Sequence, residues 1–287
     1  MDTIPLFDEF LQDFAVLPAY DPSRFTQLSG EDDVLMRIFS CIDLTSLNTS
    51  DSSEDIELFC SKVVGFPEAF PDFPNVAAIC VYPVFASILY SRLKELPVQR
   101  AVVGGGFPSA QTFLDNKVAE CSKAVFFGAN EIDIVLSVGE FLEGNYELVG
   151  DEISSIKAAI GSAHLKVILE TGALESPENI WKASLLAMEA GADFIKTSTG
   201  KHTPAATPEA AWVMTHAIKA FASRRKKVVG FKPAGGIVSV EDALLYWHIV
   251  AEVLGEEWLQ SERFRIGASR LANNLLTALS GRTQKYF

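Results

Sequence analysis

Four charged residues stand inside short apolar runs of the sequence: Asp43, Asp133, Lys196 and Lys232. These runs have the composition of buried strands, and removing an unpaired ion from water costs several kcal/mol. Such charges therefore pair with one another, serve a ligand, or do both. For any one of them, a buried salt bridge that fixes strand packing is as reasonable as catalysis. Two acids and two lysines together favour a catalytic site.

The two lysines are suited to nucleophilic catalysis. A lysine reacts with a carbonyl group only when it is neutral, and a second ammonium group in a desolvated site lowers its pKa. Small residues follow both lysines, Thr-Ser-Thr-Gly after Lys196 and Pro-Ala-Gly-Gly after Lys232, and they leave room for a ligand. The pattern predicts a Schiff base between a lysine and a small carbonyl substrate. Because the carboxylates oppose the pKa shift, charge alone leaves open which lysine is neutral.

Three glycine-containing segments near the end of the chain have the character of phosphate-binding loops. Each follows an apolar run, and backbone N–H groups at glycines and helix N-termini bind anions without a large positive charge. A tight turn explains any single glycine equally well, but three such segments favour phosphate. The candidate residues are Gly200, Lys201, Gly235, Gly236, Ser269 and Arg270.

Other reactive residues carry weaker signals. The four histidines form no HxH or HExxH pattern, so a metal-dependent mechanism is disfavoured. Cys80 is interpreted as a small buried residue, with reaction toward aldehydes as a minor hypothesis. Glu170 is interpreted as a packing residue. Lys166 belongs either to the site or to a packing ion pair.

Composition narrows the class of protein. The chain has 287 residues, a formal net charge of −13 and 48% hydrophobic residues, so it can bury a large core but lacks the basic surface of a nucleic-acid-binding protein. Its first residues are acidic where a signal peptide is basic, and no apolar run has the length of a membrane span. We therefore expect a cytoplasmic enzyme with no membrane or nucleic-acid partner.

Eight apolar, β-rich runs recur along the chain, and their starts lie 23–39 residues apart. This spacing is typical of βαβ units, and Ser176, Thr207 and Ser239 have the sequence context of helix N-caps. Eight such units predict a (β/α)8 TIM barrel. A doubly wound sheet is the alternative, but the only glycine cluster after an early strand lacks GxGxxG spacing. The runs span residues 38–45, 77–83, 100–107, 131–137, 165–171, 194–199, 228–234 and 264–269.

The predicted organisation has three parts. Residues 1–37 form a short N-terminal helical extension, which either caps the barrel or supports an oligomer interface. Residues 38–280 form the catalytic barrel, and the polar segment 281–287 is a flexible C-terminal tail.

Seven motifs together resemble deoxyribose-phosphate aldolase, and the match runs from about residue 38 to 280. The joint occurrence, in order, of FIKTSTG and GFKPAGG is the specific part of this resemblance. The motifs are IDLTSLN (42–48), AAICVYP (77–83), NEIDIV (130–135), LKVILETG (165–172), GADFIKTSTGK (191–201), VGFKPAGG (229–236) and FRIGAS (264–269).

The resemblance implies reversible cleavage of 2-deoxy-D-ribose 5-phosphate to D-glyceraldehyde 3-phosphate and acetaldehyde, without metal or cofactor. Lys196 matches the Schiff-base lysine. Lys232 matches the lysine that lowers its pKa and relays protons with Asp133 through water. Asp43 matches a carboxylate near the substrate hydroxyl, and Tyr286 matches a C-terminal tyrosine implicated in proton transfer.

The resemblance also assigns the three glycine-containing segments to phosphate. Three positions depart from the family pattern: Arg270 replaces a frequent second serine, Gly104-Gly105 replace a polar pair, and Phe287 follows the matched tyrosine. A transaldolase-like enzyme with another donor and a non-catalytic phosphosugar-binding barrel are the rival functions. The expected partners are the small phosphorylated sugar and acetaldehyde, and a homodimer is the assembly considered.

Overall fold

A computed structural model describes residues 3–26, 28 and 30–287. Its strands are short and joined by helical segments, as the spacing of the apolar runs predicts. The strands are β1 (Ile42–Thr45), β2 (Ala78–Val81), β3 (Gln99–Gly104), β4 (Glu131–Val135), β5 (His164–Ile168), β6 (Phe194–Lys196), β7 (Gly230–Lys232) and β8 (Ile266–Ala268). The helices are α1 (Thr3–Glu9), α2 (Leu11–Ala15), α3 (Asp32–Phe39), α4 (Ser53–Ala69), α5 (Ala86–Leu93), α6 (Leu114–Phe126), α7 (Val138–Leu142), α8 (Tyr146–Ile160), α9 (Pro177–Glu189), α10 (Pro208–Arg225), α11 (Val240–Leu254) and α12 (Arg270–Ser280).

All strand pairs are parallel, and the strands follow one another around a sheet in chain order, with β8 beside β1. The remaining gap, between β7 and β8, is bridged by two isolated parallel pairs, Phe231 with Phe264 and Ala234 with Gly267. Helices cover the outside, where their apolar faces pack on the strands. The predicted (β/α)8 barrel is therefore confirmed.

Helix starts after the later strands are fixed by side-chain caps. The hydroxyl oxygens of Ser176 and Thr207 accept hydrogen bonds from backbone N–H groups in the first turns of α9 and α10. Ser239 and Asp242 form a reciprocal capping box at the start of α11. The three predicted N-caps are confirmed, and each ends a loop on the face of the barrel where the strands end.

The barrel interior has an apolar side and a charged side. Small residues from β2 and β3, namely Ala78, Cys80 and Ala101, face the interior with Val103 and form a separate apolar cluster. Long charged side chains from the other strands extend into the space that these small residues leave. In the strand register Lys196 lies opposite Lys232, which brings the two amines side by side.

The first predicted strand run begins too early, because Ile38 and Phe39 are the last residues of α3. Both are buried in the core, and an apolar helix end looks like a strand in a short window. The proposed boundary between residues 37 and 38 therefore falls inside α3, which packs against α11 and α12.

The N-terminal segment before α3 lies on the outside of the helix layer. Phe10 is fully buried and stacks on Phe221 of α10 at 6.3 Å between ring centroids. The indole nitrogen of Trp212 donates a hydrogen bond to the carbonyl of Pro18 at 2.8 Å. These contacts attach the segment to α10. A role of the segment in capping the barrel or in an oligomer interface stays a prediction.

Candidate active site

Asp133 lies between the two lysines identified in the sequence. Its Oδ2 accepts hydrogen bonds from Lys196 Nζ and Lys232 Nζ, each at 2.8 Å. Lys232 also donates to Asp43 Oδ2 at 2.5 Å. The structure thus brings together all four charged residues that the sequence singled out, and all four side chains are buried.

A second group of charges lies directly against these four. Lys166 Nζ contacts Asp133 Oδ1 at 3.1 Å and Glu131 Oε2 at 2.5 Å. Arg265 donates to Asp43 Oδ1 at 2.6 Å and to Glu131 Oε1 at 2.8 Å. We call these seven residues the charge cluster. It consists of Asp43, Glu131, Asp133, Lys166, Lys196, Lys232 and Arg265.

The two lysines on β6 and β7 differ in their electrostatic environment. Burial is the main cause that lowers the pKa of Lys196, the neighbouring Lys232 ammonium group adds to it, and Asp133 opposes it. Burial also disfavours the charged form of Lys232, but Asp133 and Asp43 together outweigh it and raise the pKa of that amine. Lys196 is therefore the amine that becomes neutral more readily.

The carboxylates of the cluster stay ionised despite their burial. Burial alone would raise the pKa of Asp133, but Lys166, Lys196 and Lys232 hold it well below its usual range. Lys232 is likewise the main cation that lowers the pKa of Asp43 against the effect of burial. Asp133 can therefore accept a proton only transiently, whereas its fixed charge orients both amines.

A cavity of about 230 Å³ opens above Lys196 at the ends of the strands. Among the residues of the charge cluster, Lys196 alone lines it. Asp43 does not line the cavity, and its contact with a substrate hydroxyl stays a prediction. The wall contains all six residues predicted for phosphate, Gly200, Lys201, Gly235, Gly236, Ser269 and Arg270.

Backbone conformation explains two of the glycines. Gly200 and Gly235 have φ angles of +75° and +87°, in the left-handed region that side chains disfavour. A Cβ atom on Gly235 would lie 3.0 Å from Gly200 Cα and 2.8 Å from Ala205 Cβ. The two loops therefore approach each other at a distance that requires glycine.

The loop after β6 is held from two sides. Glu170 accepts hydrogen bonds from the backbone N–H and the hydroxyl of Thr199. Lys201 Nζ donates to the carbonyl of Leu47 at 2.6 Å. Glu170 thus positions the loop from outside the charge cluster, which agrees with the packing role expected for it.

Tyr286 is not brought to the charge cluster. Its hydroxyl donates to the carbonyl of Lys62 at 2.8 Å, and its ring packs against Phe66 and Phe70. Phe287 stacks on Phe66 at 5.5 Å between centroids. The flexibility of the tail and a role of Tyr286 in proton transfer stay predictions.

Two members of the cluster, Glu131 and Arg265, were missed by the sequence argument although both lie in apolar runs that it quoted. Glu131 is two residues before Asp133, and this spacing places both on the same face of a strand. That alternation was the available signal for Glu131. Lys166, left open by the sequence, joins the cluster.

Cys80 is buried, and its burial together with Asp133 raises the pKa of its thiol, which disfavours the reactive thiolate.

Two absences can be stated for the part of the chain that the structure describes. Residues 3–26, 28 and 30–287 contain no group of three or more His, Cys, Asp or Glu side chains arranged to hold a metal ion. Within the same residues, no helix combines the length and apolar character needed to cross a membrane.

Comparison with known proteins identifies the family. Residues 38–252, about three quarters of the chain, match the DeoC/LacD family aldolase. The chain is 44% identical to the deoxyribose-phosphate aldolase of Bos taurus over 250 residues, which cover 83% of this chain and 78% of the bovine protein. It is 43% identical to that of Homo sapiens over 254 residues, covering 84% and 79% of the two chains.

A solved structure is similar as well. The tetrameric deoxyribose phosphate aldolase from Aeropyrum pernix superposes with a TM-score of 0.68 at 27% identity, covering 88% of this chain and 94% of the Aeropyrum pernix chain. The resemblance predicted from the seven motifs is confirmed. With the lysine-containing cavity, the family match and these relatives in agreement, the chain belongs to the DeoC/LacD family of aldolases and is a lyase.

Proposed function

We propose that the chain is a deoxyribose-phosphate aldolase that reversibly cleaves 2-deoxy-D-ribose 5-phosphate through a Schiff base on Lys196. One observation carries the mechanism: Lys196 belongs to the buried charge cluster and also lines the cavity formed by the glycine loops. The names of the relatives support the substrate. The lowered pKa of Lys196 supports its role as the nucleophile.

The reaction begins when neutral Lys196 Nζ attacks the aldehyde carbon C1 of the open-chain sugar. Loss of water from the resulting carbinolamine gives an iminium ion, and the protons move by general acid–base catalysis. Lys232 and Asp133 are suited to this transfer, because Asp133 accepts hydrogen bonds from both Lys232 and Lys196. Neither of them lines the cavity, so a proton would pass between them and the substrate through a water molecule beside Lys196.

Cleavage then breaks the bond between C2 and C3. The C3 hydroxyl loses its proton and becomes the aldehyde of D-glyceraldehyde 3-phosphate, while the bonding electrons move into the iminium ion to form an enamine. Protonation of C2 converts the enamine into the imine of acetaldehyde, and water releases acetaldehyde and free Lys196. Tyr286 stays a predicted participant in this last proton transfer.

We assign the phosphate group to the part of the cavity wall that the glycine loops form. Backbone N–H groups of the glycine loops and of the first turn of α12 can bind its oxygens. Lys201 and Arg270 supply positive charge to this wall, so an acidic protein can hold an anionic substrate. A cytoplasmic location and a homodimer stay predictions from the sequence.

A direct assay tests the proposal. The purified protein is incubated with 2-deoxy-D-ribose 5-phosphate, and both products are measured. We expect cleavage by the native protein and none by Lys196→Ala. The matched control is Lys117→Met, since Lys117 is also a buried lysine but pairs with Glu152 outside the cluster at 3.0 Å. Turnover retained in Lys196→Ala would remove the proposed nucleophile.

The donor must be tested separately. In the synthetic direction, D-glyceraldehyde 3-phosphate is offered with acetaldehyde or with dihydroxyacetone. Condensation with acetaldehyde supports the proposal, whereas condensation only with dihydroxyacetone would favour a transaldolase-like enzyme. Binding of the phosphorylated sugar without turnover would favour a phosphosugar-binding barrel.

A further inference from the structure

The four cations of the charge cluster differ in how many carboxylates they contact. Lys166 lies within 3.4 Å of three carboxylates: those of Asp43, Glu131 and Asp133. Lys232 and Arg265 each contact two.

Lys196 contacts one carboxylate, through an oxygen of Asp133 that it shares with Lys232. Deprotonation of Lys196 therefore breaks the fewest ion pairs in the cluster. Asp133 would retain Lys232 on the same oxygen and Lys166 on the other.

The numbers of charges lead to the same conclusion. The cluster contains four basic side chains and three carboxylates, and all seven residues are buried, none of them more than 3% exposed. An excess charge in a low-dielectric interior is costly. With Lys196 neutral, three cations face three anions. The charges of the other six residues in the cluster thus favour a neutral Lys196.

We propose that Lys166, which no part of the assigned reaction uses, is a positioning residue that balances the far oxygen of Asp133 and so allows Lys196 to be uncharged. This inference rests on the proposed function, since it concerns the nucleophile of that reaction. Lys166 does not line the cavity, and Asp133 is the carboxylate that it shares with Lys196. Glu131 holds Lys166 from the other side and has the opposite effect on the balance.

The test is a pair of variants with opposite charge changes. Lys166→Met removes a cation, so Lys196 must take its place as the third cation and is neutral only at higher pH. Glu131→Gln removes an anion and favours neutral Lys196 at lower pH. The acidic limb of kcat/KM against pH, measured for cleavage of 2-deoxy-D-ribose 5-phosphate, reports this ionisation. We expect an upward shift of about one pH unit or more for Lys166→Met and a downward shift for Glu131→Gln.

The double variant Lys166→Met/Glu131→Gln removes one charge of each sign and should return the limb close to its native position. It also removes the buried ion pair as a unit, so it stays informative if Lys166→Met alone does not fold. Lys166→Arg keeps the charge and should leave the limb near its native position.

Two controls exclude other causes. His164 Nδ1 lies 3.8 Å from Glu131 and its side chain is 54% exposed, so His164→Asn removes the imidazole that lies beside the cluster. It should not move the limb. Lys117→Met should lower stability without moving the limb, because its partner Glu152 lies outside the cluster.

The outcomes separate the two claims. Opposite shifts that cancel in the double variant support the role of Lys166. Shifts of the same sign, an unmoved limb in folded Glu131→Gln, or a folded double variant whose limb is displaced as far as that of a single variant would overturn it. If the native protein neither cleaves the substrate nor forms an adduct with acetaldehyde, the proposed function fails instead.

Discussion

Replacement of Lys232 by methionine isolates the electrostatic role of the second lysine. Methionine has a similar length but no charge, and Lys232 bridges Asp43 and Asp133 at 2.5 and 2.8 Å. Loss of one partner from a buried ion pair costs about 3–5 kcal/mol. Both carboxylates retain another cation, Arg265 or Lys166, so we expect the lower end, about 3 kcal/mol.

The same change acts on the pKa of Lys196. Lys232 is the neighbouring cation that favours the neutral amine, so its removal raises the pKa of Lys196. Since the neutral form reacts, the reactive fraction at a pH below the pKa falls about tenfold for each unit by which the pKa rises. Imine formation should therefore slow at neutral pH and recover as the pH is raised.

The assay measures the rate of reductive trapping with acetaldehyde over a pH series, which reports imine formation separately from carbon–carbon cleavage. Lys117→Met is the matched control, with a similar loss of stability and a native trapping rate. A folded Lys232→Met protein whose trapping profile coincides with the native one would refute the electrostatic argument.

Three further predictions concern the cavity wall and the tail. Gly236→Ala places a Cβ in open space at φ +84° and should lower the free energy of unfolding by about 1 kcal/mol. Gly235→Ala should lower it by about 1–3 kcal/mol more, because its Cβ collides with the facing loop. Equal losses of stability in thermal unfolding would contradict this difference. Arg270→Ser should raise KM for the phosphorylated sugar about tenfold, or about 1.4 kcal/mol, but leave 2-deoxyribose unaffected; an unchanged KM would remove Arg270 from phosphate binding. Tyr286→Phe should slow exchange of the acetaldehyde donor protons; unchanged exchange with a loss of about 1 kcal/mol in stability would assign the hydroxyl to its contact with Lys62 alone.

The barrel was predictable because each unit repeats the same physical pattern. Continuous apolar runs identify strands buried on both faces, and the caps at Ser176, Thr207 and Ser239 mark where helices begin. The residues at which the strands end were harder to predict from the sequence. The run 194–199 contains a strand of only three residues, Phe194–Lys196, and the polar residues that follow are buried by the loop packing around Glu170.

The site was predictable where a charged residue is surrounded by apolar residues in the sequence. Asp133 and Lys196 stand out in the middle of apolar runs, whereas Glu131 and Arg265 lie at strand beginnings, where charged residues are usually solvated. The spacing from Asp133 was the one signal for Glu131, whereas the contacts of Arg265 with Asp43 and Glu131 appear only in the structure. The position of Tyr286 depends on how the last residues fold back along α12, which no local pattern specifies.

The measurement that tests the central claim most directly is borohydride reduction of the protein in the presence of acetaldehyde, followed by peptide mass mapping. The account predicts a reduced two-carbon adduct on Lys196, absent from Lys196→Ala. An adduct on Lys232 instead, or no adduct on either lysine of the folded protein, would contradict it.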